Sequence, residues 1–207
     1  MKTKTNVQQD ISNLLAFTAA PPGAVDRLHR RLEEAAAGAG ILDVAYTTID
    51  TPIGTLLLAA TERGLLRVAF ETEGLDLVLD GLGRKFSPRI LRSPKRLDPV
   101  AFEIDEYFAR RRTAFDLALD FSLSSGFRLA VQKYLPRIAY GTTDSYKHVA
   151  ALVGNPKAIR AVGTACATNP LPLVVPCHRV LRTNGELGGY LGGLAVKSAL
   201  LKLEGAS

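Results

Sequence analysis

At 207 residues, 47% hydrophobic and 22% charged, the chain can build one large core or two small ones, and no apolar run approaches the ~20 residues of a membrane span. Cys166 and Cys177 are too few for a disulfide framework or the usual zinc sites. No apolar stretch with a cleavage site follows Lys2 and Lys4, so a reducing, cytoplasmic setting is expected. The net charge of +6 is uneven: residues 1–120 carry 16 basic against 17 acidic side chains, a balance of −1, and residues 121–207 carry 10 against 3, a balance of +7. That split predicts either a basic solvated face or a polyanion-binding half joined to a near-neutral one.

Residues 1–40 read as a peripheral extension, with chain breakers at Thr18–Gly23 and Gly38–Gly40. Between them Val25, Leu28, Leu32 and Ala36 recur at helical spacing, which predicts a short amphipathic helix, packed on the domain surface rather than serving as a docking arm. From Ile41 the pattern turns to strands. Val44–Ile49, Thr55–Ala60 and Leu65–Phe70 are β-rich, with turns at Asp50–Gly54 and Thr61–Gly64. Residues 99–112 read as a helix and Ala114–Phe121 as a further strand. The stretch 41–121 is therefore expected to be a small α/β scaffold, and nothing in it looks catalytic.

Residues 122–207 read as a mainly α-helical domain. Phe127, Val131, Leu135 and Ile138 mark a helix that Pro136 must kink or end. Ser145 is a candidate N-cap for a helix reaching about Leu152. After Gly154, Asn155 is expected to cap a second helix with Pro156 at its first position, running through Arg160 and Val162. Two short helices around a glycine-containing turn in a basic segment make a helix-turn-helix pattern, weak by itself. A last helix is expected over Leu194–Leu203.

The chemistry concentrates in Asn169-Pro170-Leu171-Pro172 and Val174-Val175-Pro176-Cys177-His178-Arg179-Val180-Leu181. Prolines and apolar residues argue for burial, and a buried cysteine alone is as well explained as core. With His178 beside it and a glutamate to orient the imidazole, it fits an activated thiolate nucleophile. If the segment is extended, successive side chains point to opposite sides, so His178 is expected to reach the sulfur through a water. Five glycines between Gly185 and Gly193 describe either a plain loop or a surface where backbone approaches a ligand; neither a dinucleotide nor a phosphate-loop signature is present.

Pro176-Cys177-His178-Arg179-Val180 resembles the active-site signature of the O6-alkylguanine-DNA alkyltransferases, the methylated-DNA–protein-cysteine methyltransferases. Tyr140–Tyr146, Gly154–Gly163, Asn169-Pro170, Gly188–Gly193, Lys197 and Leu200–Gly205 are similar to that family in order and spacing, over roughly residues 125–205. Residues 42–121 resemble its N-terminal domain more weakly, mainly through Thr51-Pro52-Ile53-Gly54. The resemblance implies a ribonuclease-H-like α/β scaffold followed by a winged helix-turn-helix domain that carries the active site. The implied activity is stoichiometric, single-turnover transfer of an alkyl group from O6-alkylguanine in double-stranded DNA, with base flipping and no cofactor.

Roles follow by resemblance. Cys177 is the alkyl acceptor, and His178, through water, and Glu204 form its proton relay. Asn169 holds the active-site turn, and Tyr146 helps rotate the nucleotide and protonates the leaving guanine. Arg160 fills the gap left by the flipped base, with Ser145, Lys157 and Ala161 on the same DNA-binding surface. Pro172, Tyr190, Leu191 and Gly192 wall the base pocket, and the carbonyls of Cys177 and Val180 read guanine. The protein is expected to be a monomer that can assemble cooperatively on DNA. Three features depart from the family: Arg128 and Gln132 in the Phe127 helix, Leu191 where members commonly carry Ser or Arg, and no cysteine before Cys166 to serve the zinc site of some members. A non-catalytic lesion-binding relative, a winged-helix regulator and a cysteine hydrolase are the alternative readings.

Overall fold

The computed structural model describes residue 21 and residues 23–206. The breaker expected over 18–23 lies mostly outside them, as do Lys2 and Lys4. The chain divides into two compact units, Met1–Ile41 and Leu42–Ser207. In the first, helix α1 (Ala24–Gly38) forms where the periodicity placed it; Val25, Leu28 and Leu32 are exposed and Ala36 is buried.

The second unit opens with strands β1 (Val44–Thr51), β2 (Gly54–Thr61) and β3 (Gly64–Phe70). Two-residue turns join them as antiparallel hairpins, with Thr51 opposite Gly54 and Thr61 opposite Gly64. Gly64 has φ 133°, and a Cβ there would overlap the Ala118 carbonyl, so only glycine fits. Helix α2 (Leu75–Lys85) leads to strand β4 (Ile90–Arg92), which runs parallel to β1 and completes the sheet order β3-β2-β1-β4. Leu57, Ala59, Leu66 and Ala69 pack with Leu82 of α2 on one face. Leu56, Leu58, Leu65, Val68 and Phe70 pack on the other against helix α3 (Pro94–Phe108) and the C-terminal helices. Covering both faces explains why β2 is continuously apolar rather than alternating.

Two expectations for residues 41–121 need correction. Helix α3 begins at Pro94 and ends at Phe108, not over 99–112, because proline is tolerated in a first helical turn and Pro99 does not stop the helix. Residues 114–121 form no regular strand; a single bridge joins Leu65 to Leu119. The edge of β3 explains this. Leu65 exchanges backbone bonds with Ala118 and Asp120, both 2.8 Å, but Val68 N–H donates instead to the Pro170 carbonyl at 2.8 Å. The rest of that edge is thus given to the turn that follows Asn169, which also protects it from non-native pairing.

The C-terminal part contains α4 (Gly126–Tyr134), ended by Leu135-Pro136 as expected, then the short strand β5 (Asp144–Ser145), α5 (Tyr146–Leu152) and α6 (Ile159–Ala167). A 3-10 turn over Cys177–Arg179, strand β6 (Val180–Leu181), parallel to β5, and α7 (Gly193–Glu204) follow. Ser145 is the N-cap foreseen for α5, its hydroxyl accepting from His148 N–H at 3.1 Å. Asn155 and Pro156, however, do not start α6. They belong to a turn closed by Ala158 N–H on the Asn155 carbonyl (2.9 Å), and the helix begins at Ile159. Buried Gln132 donates to the Ala165 carbonyl at 3.0 Å, tying α4 to the last turn of α6 by a polar contact.

Candidate active site

The site is built on the tight path from Asn169 to Cys177. The Asn169 side chain accepts from Leu171 N–H (3.1 Å) and donates to the Val175 carbonyl (2.8 Å), so it closes the turn around itself. Val175 N–H reaches the Leu171 carbonyl at 2.8 Å. Buried Leu173 is thereby forced to φ 75°, a conformation unfavourable for a branched side chain by roughly 1–2 kcal/mol and held by its surroundings. Pro176, at φ −79° and ψ 64°, with Cys177 N–H on the Val175 carbonyl (2.8 Å), makes an inverse γ-turn. These bends, with prolines at 170, 172 and 176, deliver Cys177 into the core at 2% exposure.

The Cys177 sulfur receives a hydrogen bond from Asn169 Nδ2 at 3.2 Å. Burial pushes its thiol up to about 11, against the smaller lowering effects of that bond and of the Lys197 charge. The resting residue is a thiol at neutral pH. His178 lies on a 3-10 turn rather than an extended strand, which corrects the expected backbone, and its ring points to Glu204: Nε2 is 2.9 Å from Oε1. Glu204 also accepts from Tyr107 (2.6 Å), from Arg179 Nε and Nη2 (both 2.9 Å) and from Gly141 N–H (3.4 Å). Burial raises this carboxyl, but the donors outweigh it and hold it down at about 2. Burial also holds His178 below its ordinary value. A neutral imidazole facing an ionised carboxylate must carry its proton on Nε2, which leaves Nδ1 as the acceptor.

Glu204 owes its position to the end of α7. Gly205 sits at φ 75°, its N–H on Lys202 and that of Ala206 on Leu201, which closes the helix in a Schellman motif. Two turns earlier on α7, buried Lys197 donates to the Val180 carbonyl at 2.6 Å. Val180 N–H bonds the Cys177 carbonyl, so both carbonyls expected to read guanine have a protein donor and keep a second lone pair.

Tyr146, at the start of α5, is half-buried, and burial with the nearby cysteines raises its hydroxyl to about 12, so it is a donor at neutral pH. A Cβ at Gly188 would overlap that hydroxyl, and one at Gly192 would lie 2.8 Å from the Phe70 ring. These two glycines let the loop close over Tyr146 and the end of β3. Tyr190 stacks edge-on against Phe70 (5.6 Å) and His178 (6.3 Å). Pro172 and Val180 are buried, whereas Leu191 lines a 360 Å³ cavity with Arg67, Glu73, Lys85, Arg128, Asn169 and Pro170. Cys177, His178, Glu204, Asn169 and Tyr146 therefore converge. Lys157, Arg160 and Ala161 are instead exposed, on the outer edge of α6 and the turn before it.

The description "6-O-methylguanine DNA methyltransferase, DNA binding domain" matches residues 126–206, and "6-O-methylguanine DNA methyltransferase, ribonuclease-like domain" matches residues 44–121. A methylated-DNA–protein-cysteine methyltransferase of Methanosarcina barkeri is 39% identical over 160 residues, 77% of this chain and 96% of the relative. The Homo sapiens protein of that name is 36% identical over 169 residues, 79% of this chain and 81% of the relative. The chain belongs to the 6-O-methylguanine DNA methyltransferase family. Among solved structures, Mycobacterium tuberculosis OGT in complex with DNA has a TM-score of 0.68 at 37% identity, covering 78% of this chain and 93% of that one.

Within this methyltransferase the sequence reading missed four residues that touch the site. Arg179 stood inside the recognised signature, but nothing in the pattern said it would pair with Glu204 in the interior. Tyr107 lies on α3, 97 positions from Glu204. Lys197 was matched to the family without a role, and Phe70 looked like an ordinary strand residue. Sequence periodicity foretells burial, and for these four the informative fact is what they meet there.

Proposed function

We propose that this protein repairs DNA by direct reversal, taking an alkyl group from O6 of guanine onto Cys177 in a single turnover. The observation that carries the reading is a buried thiol bonded to Asn169, beside a neutral histidine whose tautomer Glu204 dictates. Because burial raises the Cys177 thiol to about 11, proton removal must accompany attack. The proton passes through water to His178 Nδ1, the S–C bond forms as the C–O6 bond breaks, and guanine takes the released electron pair. Tyr146, still protonated at neutral pH, donates to the departing base.

Double-stranded DNA hides the lesion in its stack, and extruding a base costs a few kcal/mol. Exposed Arg160 at the start of α6 suits insertion into the gap, with Ser145, Lys157 and Ala161 beside it against the backbone, and the +7 balance of residues 121–207 supports phosphate binding. Pro172, Tyr190, Leu191 and Gly192 would wall the pocket. We divide the chain into an extension (1–40), a scaffold (41–121) and a DNA-binding catalytic domain (122–207). It acts as a monomer able to cluster on DNA, in a compartment that keeps Cys166 and Cys177 reduced. Peptide mapping after incubation with a duplex containing O6-methylguanine tests the assignment. A methyl on Cys177 supports it; a methyl on Cys166, or none, refutes it.

A further inference from the structure

The end of β3 touches the active-site turn at consecutive residues. Arg67 Nη1 donates to the Asn169 carbonyl across 3.4 Å, and Val68 N–H holds the next carbonyl, that of Pro170, at 2.8 Å. Arg67 is largely buried and is itself fixed, because its other nitrogen pairs with Glu73. The Glu73 carboxylate is in turn tied to the strand by accepting from Phe70 N–H at 2.8 Å. The chain of contacts runs from Phe70 through Glu73 and Arg67 to the Asn169 backbone, and the Asn169 side chain ends on the Cys177 sulfur.

The geometry leaves Asn169 little freedom. With its carbonyl and the following one held from the sheet, its side chain has only two torsions left; Leu171 N–H occupies Oδ1, and Nδ2 gives one hydrogen to the Val175 carbonyl and the other to the sulfur. A shift of its backbone therefore moves Nδ2 relative to the sulfur. A neutral thiol gains little from an N–H donor, whereas a forming thiolate gains a charge-assisted bond.

We propose that Arg67 is a positioning residue, which by holding the Asn169 carbonyl sets the Asn169–Cys177 hydrogen bond and so the reactivity of the acceptor sulfur. The inference rests on Cys177 being the alkyl acceptor. It assigns the sheet domain a part in the chemistry, through a residue that makes no contact with the reacting atoms.

The test measures the sulfur with and without DNA. Wild type, Arg67→Ala and Arg67→Lys are treated with iodoacetamide across pH, and the labelled Cys177 peptide is quantified apart from Cys166. Single-turnover transfer from an O6-methylguanine duplex and duplex affinity are measured alongside. Arg67→Ala should move the Cys177 labelling profile to higher pH by about one unit and slow transfer roughly tenfold, with duplex affinity changed by less than about twofold. Arg67→Lys keeps the pair with Glu73 but not the fork, and should fall between the two. An unchanged labelling profile in folded Arg67→Ala overturns the proposal. If that variant does not fold, the same unchanged profile in Arg67→Lys, with wild-type transfer, overturns it. Labelling needs no alkylated DNA, so a wild-type protein that fails to transfer sinks the alkyl-acceptor reading while the profiles still judge the clamp.

Discussion

Replacing Glu204 by glutamine removes one negative charge from a buried cluster and leaves its volume almost unchanged. Oε1 accepts from Tyr107, His178 and Arg179, and Oε2 accepts from Arg179 and Gly141. Whichever way the new amide turns, its NH2 faces donors. Arg179, 6% exposed, loses its counter-charge and one of its two bonds to residue 204, and keeps the other, now to a neutral amide oxygen, with the Ile138 carbonyl at 2.6 Å. Breaking a buried ion pair from one side costs about 3–5 kcal/mol, which for a chain of this size lowers Tm by roughly 6–20 °C. Chemistry suffers separately. An NH2 turned to His178 favours the tautomer with its proton on Nδ1, and loss of the general base lowers the rate by about 10²–10⁴. Thermal unfolding at pH 7 and single-turnover transfer at a temperature where the variant is folded measure the two effects. A Tm within about 2 °C of wild type, or a transfer rate unchanged in folded protein, refutes the assignment of Glu204 as the charge that organises this cluster.

Acid should act through the same residues. The Glu204 carboxyl is lowered to about 2, so its stabilisation is complete above its ordinary value of 4.5 and is lost as pH falls towards 2. His178 is held below its ordinary 6.5, so the unfolded chain binds that proton more readily and stability declines from 6.5 downward. Urea unfolding at several pH values should show both slopes in wild type and a shallower one below pH 4.5 in Glu204→Gln; equal stability at pH 3 and pH 7 contradicts this. Arg160→Ala should slow transfer from duplex DNA much more than from a free O6-benzylguanine base, because only the duplex leaves a gap to fill; equal losses would make Arg160 a residue of the fold. Leu191→Ser should modestly speed methyl transfer and weaken any preference for benzyl, by removing apolar contact on the order of 1 kcal/mol. A benzyl-to-methyl rate ratio that holds or rises removes Leu191 from the pocket wall.

What was legible in the sequence is what is local. The hairpins around Pro52 and Glu62, the Ser145 cap and the stop at Pro136 depend on neighbours within a few residues. So does the turn from Asn169 to Cys177, whose prolines and apolar residues made its burial legible, whereas the roles of its residues came from the resemblance of the signature. Residues 114–121 alternate like a strand, with Phe115, Leu117, Leu119 and Phe121 packed inward, but alternation does not provide a hydrogen-bonding partner, and β3 had already given its edge to Pro170. Helix α2 went unread because Gly81 and Gly83 interrupt its apolar spacing, although Leu82 anchors it under the sheet. Arg67 stands within the β-rich stretch Leu65–Phe70, and only the tertiary fold brings Asn169, 102 positions away, against it.

The most direct test of the central claim is the intact mass of the protein after exposure to excess duplex carrying O6-methylguanine. The account predicts a gain of about 14 Da per chain, one methyl in place of one hydrogen. The number of lesions repaired should equal the number of chains and then stop, and Cys177→Ser should show neither gain nor repair. Repair that continues with the protein mass unchanged would contradict it, because the sulfur would then be a turnover catalyst or a bystander.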